Sequence, residues 1–441
     1  MRLFPPVLVS SVVLLSGCAL VGDGVDHRVY EGQVPEYGPL DSVSGVAWEW
    51  ELGASEDVHS VQAGLSGPVL ELGNGVVALD AQSGDELWHY RSEDRDLEKA
   101  VATPDHERVV LAYRDTEGGP AHVVVLETGT GEVEYEYELP DADEEPWQGR
   151  ITDDVLVLED GDALRGVSLS DGQDVWTYEA PASSDGLELI SGRSELSVVD
   201  DAVVLTRGYS DGPKSFDEPQ SRRLVTTALS PGSGEPLWEV ESQQPPSKQS
   251  FIDQQVSEGG EVLLLEPLGA DELEYDPFLL EVESGERIDG EVFEGDVSDD
   301  ERVALTDEGS VSAEWLPDED AVEYRHVSFD GETLNEALVP ARPSEMRSDP
   351  GVVLGEGVLR LSHLTVPDLD RGPVEAEFVD WGSEGEPASI EVGLTENRDE
   401  WRQAEFDFSS DVDAPRMWEV PGAVVVTEDE RIGNNVIVGL N

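Results

Sequence analysis

Seven times along the chain, two short apolar runs flank a polar turn that closes on a glycine. The first copy reads GNGVVALDAQSGDELWHYRSED over residues 73–94, with Gly84 in the turn and Trp88 four residues later. Further copies place Gly131 before Tyr135, Gly172 before Trp176 and Gly234 before Trp238. Gly285 precedes Asp289, Gly331 precedes Asn335, and Gly385 lies in a looser copy. The gaps between these glycines run from 41 to 62 residues, the length of a supersecondary unit of about four strands. The runs are rich in β-branched residues, and glycine supplies the positive φ that such turns require.

One such unit leaves apolar faces uncovered, and stacking units about an axis covers them, which is the plan of a β-propeller. A further apolar run precedes most hairpins, as in ERVVLAYRD (107–115), DDVLVLEDG (153–161), DDAVVLTRG (200–208) and GEVLLLEP (260–267), and these read as the inner strands. Residues 209–222 and 396–416 read as loop insertions. The C-terminus, PGAVVVTEDERIGNNVIVGLN, stops one strand short of a unit. A lone aromatic strand, GVAWEWEL (45–52), lies at the other end with Trp48 and Trp50. Placing it on the last unit closes the ring. The expected fold is an all-β, eight-bladed propeller of four-stranded antiparallel blades, sealed by an N-terminal strand. An open β-solenoid is the alternative, and it needs no displaced strand.

The first eighteen residues, MRLFPPVLVSSVVLLSGC, carry one basic residue and then an apolar run too short to span a bilayer. This reads as an export signal over 1–17. Its end, Leu15-Ser16-Gly17-Cys18, resembles the lipobox of bacterial lipoproteins. The resemblance implies cleavage before Cys18 and a diacylglycerol on its thiol; two acyl chains hold a protein far better than one. Cys18 is the only cysteine, so the exported body has no disulfide and no thiolate site. Residues 18–44, punctuated by Gly and Pro, read as a flexible tether to a propeller domain over 45–441.

VVALDAQSGDELWHY, with its echoes SLSDGQDVWTY and ALSPGSGEPLWEV, resembles the PQQ-like repeat of quinoprotein propellers. In that family the tryptophan docks between neighbouring blades. One branch holds quinone-dependent dehydrogenases, and the other holds non-catalytic, BamB-like lipoproteins. The lipobox and the eight units are similar to the second branch. The resemblance implies an exported protein, lipid-anchored to the outer face of the cell membrane, or to a periplasmic leaflet where an outer membrane exists. It would bind envelope proteins, as a monomer and without a cofactor.

Catalytic signatures point nowhere else. Many quinoprotein alcohol dehydrogenases stack a vicinal disulfide on the quinone, and this chain has no second cysteine to form one. None of the seven histidines, His27, His59, His89, His106, His122, His326 and His363, sits in a metal-binding spacing, and each reads as an edge or surface residue. No nucleophile elbow or phosphate-binding glycine loop appears. The expectation is no enzyme, no metal and no catalytic residue; a quinone-dependent dehydrogenase and an envelope ligand sensor are the competing readings. Trp381, Trp401 and Trp418, outside the regular slots, read as packing in drifted blades.

Acidic residues number 99 against 26 basic ones, a formal net charge of -73, and the only lysines are Lys99, Lys214 and Lys248. This balance disfavours nucleic acid, which is bound by neutralising phosphates, and no nucleic-acid partner is expected. It also disfavours docking on anionic lipid through a basic patch. Self-repulsion at such a charge destabilises a folded body in dilute buffer. The Debye length falls from about 10 Å at 0.1 M salt to about 3 Å at 1 M. The melting temperature should therefore rise when sodium chloride is raised from 0.1 to 1 M; coincident melts would remove the reading of a salt-adapted surface.

Overall fold

The computed structural model describes residues 24–53, 57–114, 121–139, 149–199, 202–211, 220–247, 251–268, 278–288, 302–340, 351–362, 374–383, 387–392, 416–427 and 436–441. Cys18, Gly385, Asp289, Trp401 and His363 lie outside the described residues, as does most of both proposed insertions.

The described residues form strands and turns only, arranged as eight antiparallel sheets. Blade 1 is Val58–Gly64, Gly67–Leu72, Gly75–Leu79 and Glu86–Ser92. Blade 2 is Asp96–Ala102, Arg108–Arg114, Ala121–Glu127 and Val133–Leu139. Blade 3 is Arg150–Ile151, Val155–Asp160, Ala163–Ser168 and Asp174–Glu179. Blade 4 is Leu187–Val199, Ala202–Ser210, Gln220–Leu229 and Pro236–Ser247, with the short Ser183–Ser184 added on its first strand. Blade 5 is Phe251–Val256, Val262–Leu268, Phe278–Glu281 and Arg287–Ile288. Blade 6 is Arg302–Leu305, Gly309–Leu316, Ala321–Ser328 and Thr333–Pro340. Blade 7 is Val352–Leu354, Gly357–Ser362, Val374–Asp380 and Ala388–Val392. Blade 8 takes Arg416–Val420, Ala423–Thr427 and Val436–Leu440 from the C-terminus and Val46–Glu51 from the N-terminus.

The closing register pairs Trp48 with Gly439 and Trp50 with Ile437. Apolar side chains gather into a cluster at every seam between successive blades. At the last seam, Leu70 and Val77 of blade 1 meet Val425 and Ile437 of blade 8, so the fold is a closed eight-bladed propeller. The runs ERVVLAYRD, DDVLVLEDG, DDAVVLTRG and GEVLLLEP are the second strands of their blades, within the inner pair. They are the most apolar because both their faces meet neighbouring blades, whereas a first strand faces the channel on one edge.

The aromatic slot has a fixed geometry. Gly84 has φ +69°, and a Cβ there would lie 2.7 Å from the Trp48 ring. The Trp48 indole N–H donates to the Ala81 carbonyl, three residues before that glycine, at 2.7 Å. Trp88 repeats this on Thr128 O at 2.6 Å and Gly131, Trp176 on Pro231 O at 2.6 Å and Gly234, and Trp238 on Val282 O at 2.7 Å and Gly285. Across its own sheet each indole faces a small residue: Gly439, Ala78, Gly166 or Ala228. The ring fills the space a Cβ would take, and its N–H satisfies a turn carbonyl.

Tyr135 departs from this pattern. It pairs with Val125 rather than with a small residue, and the ring lying on Gly172 belongs to Tyr137. A phenol has no indole N–H, and the Tyr137 hydroxyl is buried with no partner among the described residues. Trp381 stacks on His326 at 6.3 Å in the seam of blades 6 and 7, and the Trp418 N–H reaches Thr427 Oγ1 at 3.2 Å.

The expected flexible tether over 18–44 is corrected where it is described. Val25–Arg28 adds a fifth strand to blade 1, with Val25 opposite Ser92 and Arg28 opposite His89. The chain then crosses the face that carries the first and third turns of the blades. Tyr30 N–H donates to Thr130 O of blade 2 at 2.9 Å, and Pro35 O accepts from Ser66 Oγ of blade 1 at 2.7 Å. Gly38 O accepts from Gly422 N–H of blade 8 at 2.9 Å, and Asp41 O from Glu356 N–H of blade 7 at 2.7 Å. Val43 is 5% exposed in the seam of blades 7 and 8. Gly and Pro deny this stretch a sheet period, yet it lies on the turns as a strap, with Val43 buried and Val29, Tyr30, Val34, Tyr37 and Leu40 half-buried.

Trp48→Ala should cost about 3–5 kcal/mol, the usual toll for emptying a buried aromatic site. A urea midpoint unchanged by this substitution would deny that the N-terminal strand seals the ring.

Candidate functional site

The first strands of the blades line the central channel. Along them, residues alternate between the seam and the channel wall. Toward the face crossed by the strap, residues of blades 1 to 5 line an open cavity of about 580 Å³. Gln62 enters from blade 1, Lys99, Thr103 and His106 from blade 2, Arg150 from blade 3, Ser197 and Val198 from blade 4 and Val256 from blade 5. The charged lining residues are Lys99 and Arg150, and no carboxylate residue lines this cavity among the described residues.

Local hydrogen bonds hold these groups in place. Gln62 Oε1 accepts from Ala102 N–H at 3.2 Å, and its Nε2 donates to Ser60 Oγ at 3.0 Å. Arg150 Nε donates to Leu196 O of the next blade at 3.1 Å. Behind Lys99, the side chain of Glu71 is buried and accepts from Ser60 Oγ at 2.5 Å. Burial pushes the Glu71 carboxyl up, and the hydrogen bond from Ser60 and the charge of Lys99 pull it partly back.

His106 is held in a strained conformation, with φ 60°. A non-glycine residue at positive φ costs free energy that the surroundings must supply. Thr103 O accepts its N–H at 2.9 Å, and its own carbonyl accepts from Thr128 Oγ1 at 2.5 Å. Asp105 N–H donates to Asp153 Oδ1 of blade 3 at 3.1 Å, which ties this turn to its neighbour. His106 Nδ1 is buried with no hydrogen-bond partner among the described residues.

The far side of the channel has the opposite sign. Glu258 and Asp307 lie in the first turns of blades 5 and 6, and Glu419 in the first strand of blade 8. Asp307 Oδ1 accepts from Ser257 Oγ at 2.5 Å and from Glu261 N–H at 3.2 Å, which joins the two turns. Partial desolvation, then the charges of Glu419 and Asp307, push the Glu258 carboxyl up to about 7, although the residue keeps an exposed surface. Glu419 is raised by burial as well. The described residues contain no group of three His, Cys, Asp or Glu side chains arranged to hold a metal ion.

Sequence reasoning did not single out this site. Gly84, Trp88, Gly131, Gly172, Trp176, Gly234, Trp238 and Trp48 lie at seams, and the half-buried Trp50 lies at the edge of the last one. The structure gathers none of them at the channel. His106, read as a surface residue, lines the cavity. His122 and His89 are half-buried, beside Glu136 at 2.8 Å and Glu86 at 2.8 Å. Burial lowers the pKa of His122. The one clue to the site was the scarcity of lysine, since Lys99 stands within a strand-forming stretch.

Between about pH 4.5 and 7 the folded chain keeps a proton on Glu258 that the unfolded chain has released. The associated stability is therefore complete below about pH 4.5 and lost as pH rises through about 7. Glu258→Gln should raise the melting temperature at pH 8 and leave it unchanged at pH 4. An equal rise at both pH values would show that the carboxyl is not strained by ionisation.

Known proteins share these repeats. Residues 73–266, from the second turn of blade 1 to the second strand of blade 5, match a family model described as outer membrane protein assembly factor BamB, of the PQQ-type repeat. No curated protein matches the chain. Among solved structures, the WD40 domain of SCAP from fission yeast is similar at 9% identity and TM-score 0.41, over 94% of this chain and 98% of that one. Sqt1 of Saccharomyces cerevisiae is similar at 9% identity and TM-score 0.41, over 90% and 98%. A eukaryotic initiation factor is similar at 12% identity and TM-score 0.39, over 82% and 81%. The chain is thus a closed eight-bladed propeller whose first half is similar to the PQQ-type repeats of an assembly factor.

Proposed function

We propose that the protein is an exported lipoprotein, held through Cys18 at the outer face of the cell membrane, whose propeller binds envelope proteins without catalysis. The match of residues 73–266 to the repeats of an outer membrane assembly factor carries this reading. The Leu15–Cys18 tetrapeptide supports this location. A rigid ring with turns on both faces offers broad surfaces to a protein partner. Apolar contact points stand ready on outer strands: Val175 is 48% exposed and Leu237 53% exposed, each just before a seam tryptophan. The surrounding acidic surface would attract basic partners and speed their encounter, an effect that salt diminishes.

Cys18→Ser should move the protein from the membrane fraction to the soluble fraction. Crosslinking of intact membranes, followed by capture of the wild-type protein, should return the same protein partner in independent preparations. Retention of the serine variant in the membrane would overturn the lipid anchor. A copurifying quinone with dye-reducing activity would overturn the non-catalytic reading.

A further inference from the structure

We propose that the channel cavity binds a small organic polycarboxylate, seated between Lys99 of blade 2 and Arg150 of blade 3. Charge is the first argument. The chain carries 99 acidic residues against 26 basic ones, yet the charged residues of this lining are both cationic. Two cations on adjacent blades suit a ligand with at least two negative groups. The guanidinium fork adds the planar geometry that carboxylates match.

Size and wall chemistry narrow the class. A cavity of about 580 Å³ falls within the range of small-ligand sites, roughly 300–1,000 Å³. Val101, Val198 and Val256 alternate with the polar groups around it, so the wall offers contact to a carbon skeleton as well as to charge. An inorganic anion would leave those contacts unused. Gln62 and Ser197 supply neutral polar groups, and the strained turn at His106 places that residue on the cavity.

Glu258, Asp307 and Glu419, on blades 5, 6 and 8, are not among the lining residues. Glu71 is buried behind Lys99 and does not line the cavity. The net charge of -73 would keep anions away in dilute buffer, but at about 1 M salt the repulsion extends only about 3 Å. This site stands whether or not Cys18 carries lipid.

Isothermal titration of the detergent-solubilised full chain in 1 M sodium chloride tests the assignment, with citrate as the probe and inorganic phosphate as its counterpart. Citrate should bind saturably at one site, with phosphate at least tenfold weaker. Lys99→Gln, a change at an exposed side chain, should weaken citrate at least tenfold, as should Arg150→Gln. Arg28→Gln, on the outer edge of blade 1 beside Glu86, should leave the affinity unchanged. Absence of saturable citrate binding, phosphate binding as tight as citrate, or an affinity untouched by Lys99→Gln would each overturn the proposal.

Discussion

An indole lying on a bare glycine of the next blade, its N–H on the carbonyl three residues upstream, is the contact that turns separate sheets into a ring. It works because two requirements coincide. The turn needs positive φ, which favours a residue without Cβ, and the missing Cβ leaves room for the largest side chain. Burying such a ring removes about 150–250 Å² from water, worth roughly 4–6 kcal/mol by transfer. The contact occurs from blade 8 to 1, from 1 to 2, from 3 to 4 and from 4 to 5. Tyr137 substitutes for it between blades 2 and 3. Between blades 6 and 7 the seam is filled instead by Trp381 on His326.

Legibility followed from how local the physics is at each position. The turn glycines and seam tryptophans stood out because one residue type satisfies each slot, so the ring and its blade count could be read from their spacing. The closure was readable because a strand bearing Trp48 had no hairpin partner at one end while a blade lacked its fourth strand at the other. Tyr135 misled because spacing alone cannot tell which of two tyrosines, on the same face of one strand, will reach the next turn. The strap escaped because its residues meet turns of several blades one at a time, leaving no period. The cavity escaped because Arg150, Ser197 and Val256 are far in sequence from Lys99 and His106 and meet them only when first strands are set round an axis.

The acidic composition and the cationic cavity belong to one electrostatic arrangement. A surface with so many carboxylates can leave them solvated, where each costs little. Inside the channel the same groups become expensive, and Glu258 retains its proton up to about pH 7 for that reason. Placing Lys99 and Arg150 on one wall and the acids on the other gives the channel a direction. A uniformly acidic lining would have none.

The pairing of Val46–Glu51 with Val436–Leu440 also imposes an order of events. The part of the molecule made first must wait for the part made last. Until then the seam between blades 8 and 1 lies open, with Leu70 and Val77 uncovered on one side. Non-local pairing of this kind slows folding and prolongs exposure of sticky surface. A heavily charged exterior keeps such waiting chains apart, so the same carboxylates that strain the finished ring protect the unfinished one from aggregation.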